Sequence, residues 1–229
     1  MRSPKQQWLI LRHTAPVAES LQRLVYSSEQ SLGFELMHIK QGSVWARFIE
    51  RIEAEERVSD PYGDYEEVVT VKYVYFDFSV VLLGDGFSLV KILRPPASLK
   101  SFIRAVSSAF EFNAFLGKVC FDLLRVYKVI SESGNIDRLV ISKVSASQIP
   151  LSDNSVAKVE IASETNAFLE LKEKFKSPLV RLDRLAMSGR MNFKNEDLEI
   201  SSAGSIYCTE GFEAILQDVV LRDINLKVL

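Results

Sequence analysis

The sequence predicts an α+β fold built mainly from antiparallel sheets with a few packed helices. Three observations lead there. Long runs are dense in β-branched and aromatic residues, Glu67–Leu83 above all. Glycine-centred reversals separate such runs, as in residues 82–89 (LLGDGFSL), where Gly84, Asp85 and Gly86 accept the positive φ of a tight hairpin. Helical stripes are few: Val17, Leu21, Leu24 and Val25 form one, and Leu99, Phe102, Ile103 and Val106 another.

The elements follow in order. Gln7 to Arg12 reads as a strand, and Thr14 with Pro16 as a helix start, since a cap hydroxyl and an early proline suit a first turn. Gly33 opens a strand over Phe34 to Lys40, which Gln41 and Gly42 turn. Residues 43–58 (SVWARFIERIEAEERV) fit both periods. A strand is preferred, because Glu67–Leu83 beyond the turn-rich DPYGDY supplies an antiparallel partner. That partner carries Tyr73, Tyr75, Phe76 and Phe78 on both faces, as a central strand covered on both sides would, with an exposed base-stacking platform as the alternative. Phe87 to Leu93 is the next strand, and Arg94-Pro95-Pro96 introduces a helix over residues 98–110. Gly117 predicts a break, followed by a strand over Val119 to Ile130.

After Ser131 the triplet Asp-Arg-Leu occurs at Asp137–Leu139 and again at Asp183–Leu185. Each copy precedes the pattern strand, turn, strand, helix. The strands are Leu139–Ile149 and Val156–Ala162, then Leu185–Phe193 and Leu198–Cys208, with Thr165 and Thr209 at the helix starts. A duplicated ββα unit is the expectation, closed by a strand near Ile224–Val228. Residues 131–134 then divide an N-terminal α+β domain with a long β-hairpin, residues 1–130, from a C-terminal α+β domain, residues 131–229.

Composition narrows the function. With 47% apolar and 25% charged residues the chain is an ordinary globular one. No stretch approaches the roughly 18 uninterrupted apolar residues of a membrane span, and the start lacks a signal-peptide core, so a cytoplasmic protein that avoids the membrane is expected. Cys120 and Cys208 are too far apart for a CxxC motif and read as buried thiols. His13 and His38 are the only histidines, each read as a strand residue with one nitrogen satisfied. That leaves little for histidine metal sites or histidine-activated nucleophiles. No GxSxG elbow, Walker lysine, GxGxxG fingerprint or HExxH pair occurs.

Charge is unevenly placed. Residues 88–130 hold seven basic side chains, Lys91, Arg94, Lys100, Arg104, Lys118, Arg125 and Lys128, against two acidic ones, Glu111 and Asp122. Such an island suits phosphate backbones or an acidic protein surface. An acidic cluster, Glu53, Glu55, Glu56, Asp60, Asp64, Glu66 and Glu67, surrounds Pro61, Tyr62, Gly63 and Tyr65. Its spacing supplies no EF-hand or other defined ligand geometry.

The sequence therefore points to association rather than catalysis: a non-enzymatic binding protein, a subunit or adaptor without cofactor, metal or catalytic residues. Its partner is a protein, a second copy of the chain included. The binding residues expected are Tyr62 and Tyr65 at the hairpin tip and Lys91, Arg94, Lys100 and Arg104 on the basic segment. One alternative is a nucleic-acid-binding subunit using segment 88–130. Another is a metal-dependent enzyme with an unrecognised carboxylate site.

Overall fold

The computed structural model describes residues 4–40, 42–59, 61–63, 65–84, 86–134, 136–152, 154–175 and 181–227. Antiparallel sheet dominates, with 54% of the chain in strand and 23% in helix, so the α+β class stands. The chain forms two compact units, Leu9–Gly117 and Met1–Trp8 with Lys118–Leu229.

In the first unit, β1 (Gln6–Arg12) leads into a short helix α1 (Val17–Gln22), and the strands β2 (Leu32–Lys40), β3 (Ser43–Ser59), β4 (Tyr65–Gly84) and β5 (Phe87–Leu93) follow. The sheet runs β2-β3-β4-β5-β1. Helix α2 (Lys100–Ala109) and a short strand β6 (Phe115–Lys118) complete this part of the chain. The ambiguous segment 43–58 is strand, paired with β4 in one unbroken register from Ser43↔Val81 to Ser59↔Tyr65. Gly84 and Gly86 take φ of 103° and 77° at the β4–β5 reversal, while Asp85 lies outside the described residues. Alternation sends Phe48, Phe76 and Phe78 to one face, where Phe34 of β2 and Phe102 of α2 meet them. Phe102 lies 5.1–6.2 Å, centroid to centroid, from the rings of Phe34, Phe48, Phe76 and Phe78, mostly edge-on.

Thr14 does not cap α1. The capping position is Pro16, which offers no side-chain hydrogen bond. His13 lies just beyond β1 and uses both ring nitrogens, Nδ1 at 2.8 Å from Ala15 O and Nε2 at 2.8 Å from Ser88 Oγ. His38 stacks on Trp45 at 5.4 Å.

The second unit holds α3 (Leu123–Glu132), β7 (Asp137–Ser152), β8 (Ser155–Ala162), α4 (Ala167–Lys174), β9 (Arg181–Met191), β10 (Lys194–Ser201), β11 (Ser205–Cys208) and α5 (Glu210–Lys227). Its strands run β1-β11-β10-β9-β7-β8. Leu185, Met187, Leu198 and Ile200 are buried on one face, where the helices supply Val126, Ile130, Phe212 and Leu216. Arg184, Asp197 and Glu199 alternate onto the other face.

Three expectations are corrected here. The segment after Gly117 is a helix over Leu123–Glu132, not a strand to Ile130, because Asp122 caps it. Its carboxylate accepts hydrogen bonds from the N–H groups of Leu124 and Arg125 at 3.0 and 3.2 Å, and Leu123, Val126 and Ile130 bury one helical stripe. α3 packs on β9 and α5. Asp122→Ala is expected to cost about 1 kcal/mol of stability, checked by urea unfolding. Second, Leu198–Cys208 is two strands rather than one: Gly204, at φ 81°, turns the chain close against Trp8 O. Third, α5 continues to Lys227 where a strand was expected, and Val228 lies outside the described residues. Each Asp-Arg-Leu triplet lies in the first strand of a hairpin, β7–β8 and β9–β10, but a helix follows directly only in the first, and β11 intervenes in the second. The helix starts also differ, with Asn166 rather than Thr165 capping α4 and Thr209 preceding α5. Of the two thiols Cys208 is buried and Cys120 exposed, both unbridged.

Candidate protein interface

The β3–β4 pair outruns its sheet. β2 covers β3 only as far as Glu50, opposite Leu32. β5 covers β4 only from Phe78, opposite Ile92. Beyond these points the two strands continue alone for nine opposed pairs, Arg51↔Tyr73 to Ser59↔Tyr65, a ribbon about 30 Å long at the usual rise per residue. No residue of the ribbon is buried. An isolated two-stranded ribbon is marginally stable in water, so this one draws its order from its base.

That base is clamped. Arg47 Nε donates to Asp77 Oδ1 at 2.7 Å, and this hydrogen bond, with the charge of Asp77, raises the guanidinium pKa above its ordinary value. Along the ribbon Arg57 bonds Glu67 at 3.1 Å, Lys72 bonds Glu56 at 3.0 Å, and Arg51 pairs with Glu53. Arg57 also lies over the Tyr65 ring at 5.6 Å. These are exposed pairs that order the ribbon without adding much stability.

The two faces differ. On one, β4 presents Tyr65, Val69, Val71, Tyr73 and Tyr75 in a row, all exposed, beside Arg51, Glu53, Glu55 and Arg57 of β3. Tyr73 is 54% and Tyr75 65% exposed, so the expectation of a strand covered on both faces fails for this stretch. The reason is that α2 covers only the phenylalanine face. Over residues 51–73 the sequence carries seven carboxylates against Arg51, Arg57 and Lys72, so the ribbon is acidic overall.

The expected tip residues Tyr62 and Tyr65 are both on this ribbon and both exposed. Of the acidic cluster, Asp60 and Asp64 lie outside the described residues. Among the described residues no three His, Cys, Asp or Glu side chains converge as a metal site requires. Lys91 is only 7% exposed, on β5 opposite Ser79. Arg94 is exposed just past β5, and Lys100 and Arg104 stand exposed one turn apart on α2. Lys118, Arg125 and Lys128 belong to the other unit.

In that other unit a cavity of about 510 Å³ opens on the polar sheet face, lined by Lys5, Ser142, Arg184, Asp197, Glu199 and Tyr207 among others. Its main charges are opposed, Arg184 lying 3.2 Å from Glu199. No helix among the described residues is long and apolar enough to cross a membrane.

The sequence reading located the hairpin but not how far it runs uncovered. A signal was present: past Glu50 and Val74, charges occupy both faces, Lys72, Glu56 and Glu66 on one and Arg51, Glu53 and Glu55 on the other. A layer packed on either face would exclude them. No protein-family model matches the chain, and no curated protein matches it significantly in sequence.

Proposed function

We propose that the chain works by association, as a cytoplasmic subunit or adaptor whose partner is a protein held along the β3–β4 ribbon. One observation carries this reading: nine uncovered strand pairs display tyrosine and valine to solvent with no packing role in their own unit. Tyrosine is enriched at protein contacts because it buries a large rigid area and keeps a polar tip. A free strand edge adds backbone hydrogen bonds to any strand laid beside it. The acidic balance disfavours nucleic acid as the occupant of the ribbon. The recurrence of hairpin then helix after each Asp-Arg-Leu triplet supports a duplicated ββα origin for the C-terminal part, with β11 an addition.

Native mass measurement of the protein purified from its source cell, with and without nuclease, tests the reading. The expected result is a mass above that of the single chain, unchanged by nuclease and made of polypeptide alone. A single-chain mass throughout contradicts it.

A second reading, nucleic-acid binding through segment 88–130, has one observation in its favour. Lys100 and Arg104 are exposed on the same helix, and among the described residues neither has a carboxylate partner. A complex that nuclease dissolves would establish that reading instead.

A further inference from the structure

The ribbon's outer edge on β4 has a feature that specifies an occupant. Arg51 donates its N–H to Ser31 O at 2.6 Å, on the β2 side, so odd-numbered residues of β3 turn their backbone groups away from β4. Opposed residues in an antiparallel ladder exchange both hydrogen bonds or neither. The partners Tyr73, Val71, Val69, Glu67 and Tyr65 therefore turn their N–H and C=O groups outward, to an edge with no neighbouring strand among the described residues. Leu82, an even-numbered residue, donates the other way, to Gly42 O at 2.8 Å, in agreement. A long edge rich in Val and Tyr, with no proline and no bulge within 65–73, is the kind that recruits another strand.

We propose that this edge pairs with the same edge of a second copy of the chain, antiparallel about a two-fold axis at Val69. The inference rests on the reading of the ribbon as an association surface and names its occupant. In this register the outward-turned residues bond in pairs, Tyr65 with Tyr73, Glu67 with Val71 and Val69 with its own counterpart. Between them, Glu66 of each copy falls opposite Lys72 of the other, and Val68 opposite Thr70. Each dimer thus has two cross-strand ion pairs and two tyrosine pairs, both favourable combinations on a shared sheet face. Among the described residues Glu66 has no cation partner of its own, and Lys72, bonded to Glu56 at 3.0 Å within its chain, is shared between Glu56 and the Glu66 of the second copy. Moving the axis by one residue to Thr70 sets Glu66 against Val74 and Lys72 against Val68, so charge complementarity selects Val69. The contact is isologous and closes at two copies.

The test is sedimentation velocity on the purified full chain, from on the order of one to a few hundred micromolar, the range in which a contact this small associates. A dimer is expected. Glu66→Lys sets lysine against lysine twice, and Lys72→Glu sets carboxylate against carboxylate twice. Each is expected to weaken dimerisation by about ten-fold or more. The double variant E66K/K72E restores opposite charges and is expected to return to within about three-fold of the parent. A chain that is monomeric over the whole range overturns the proposal, as do single variants without effect or a double variant weaker than either. These failures differ from failure of the functional reading: a monomeric recombinant chain still taken up into a larger complex in its source cell refutes the self-pairing alone.

Discussion

Phe102→Ala is expected to lower the free energy of unfolding by about 3–5 kcal/mol, among the largest costs a single truncation incurs. The ring is buried and touches four others, Phe34, Phe48, Phe76 and Phe78, from three strands. Removing it opens a cavity where α2 meets the sheet, and neighbours held by strand pairing cannot collapse into it. Urea unfolding followed by circular dichroism measures the loss. Ile103→Ala on the same helix is the control: its side chain is partly in water, and about 1 kcal/mol or less is expected. Equal effects at the two positions would mean that α2 is not seated as described.

The converse is expected of the ribbon. Replacing residues 53–71 by Asn-Gly joins Ile52 to Lys72 through a two-residue type I′ turn. Because no described residue from 51 to 73 is buried, the excision should change the stability of the body by about 1 kcal/mol or less. It removes the candidate interface except Arg51, Ile52, Lys72, Tyr73 and Tyr75 at its base, so association should fall at least about a hundred-fold, to below detection in the native mass measurement. A shortened chain that still enters the complex would place the contact elsewhere. One that fails to fold would mean that the ribbon is a structural element of its own unit.

These two variants mark what was legible in the sequence. Phe102 was readable, because Leu99, Phe102, Ile103 and Val106 repeat at helical spacing and leave one face to bury. Phe76 and Phe78 were readable as strand residues, but whether one face or both of β4 is covered depends on where β5 and α2 stop, which no local pattern of β4 records. The helix at Leu123 is hidden because the apolar residues from Val119 to Ile130 also suit the strand that the break at Gly117 predicts. Asp122, whose carboxylate decides between them, is as common a residue in turns as at helix starts. Lys91 belongs to a basic run in sequence, yet its place on β5 buries it, whereas Lys100 and Arg104 of the same run are exposed. Neighbours along the chain need not share an environment when the run crosses from strand to helix. The hairpin tip was found from its turn residues. The uncovered length behind it depended on the ends of β2 and β5, set by pairing over long separations.

The most direct check is on cover itself. Hydroxyl-radical labelling compares Tyr65, Tyr73 and Tyr75 in the dilute purified chain and inside the source cell, with the exposed Phe112, away from the ribbon, as reference. The three tyrosines should label strongly in the dilute chain and weakly in the cell, while Phe112 labels alike in both. Equal labelling of the tyrosines in the two settings, or protection already present in the dilute chain, would contradict the assignment of the ribbon as the surface by which this protein works.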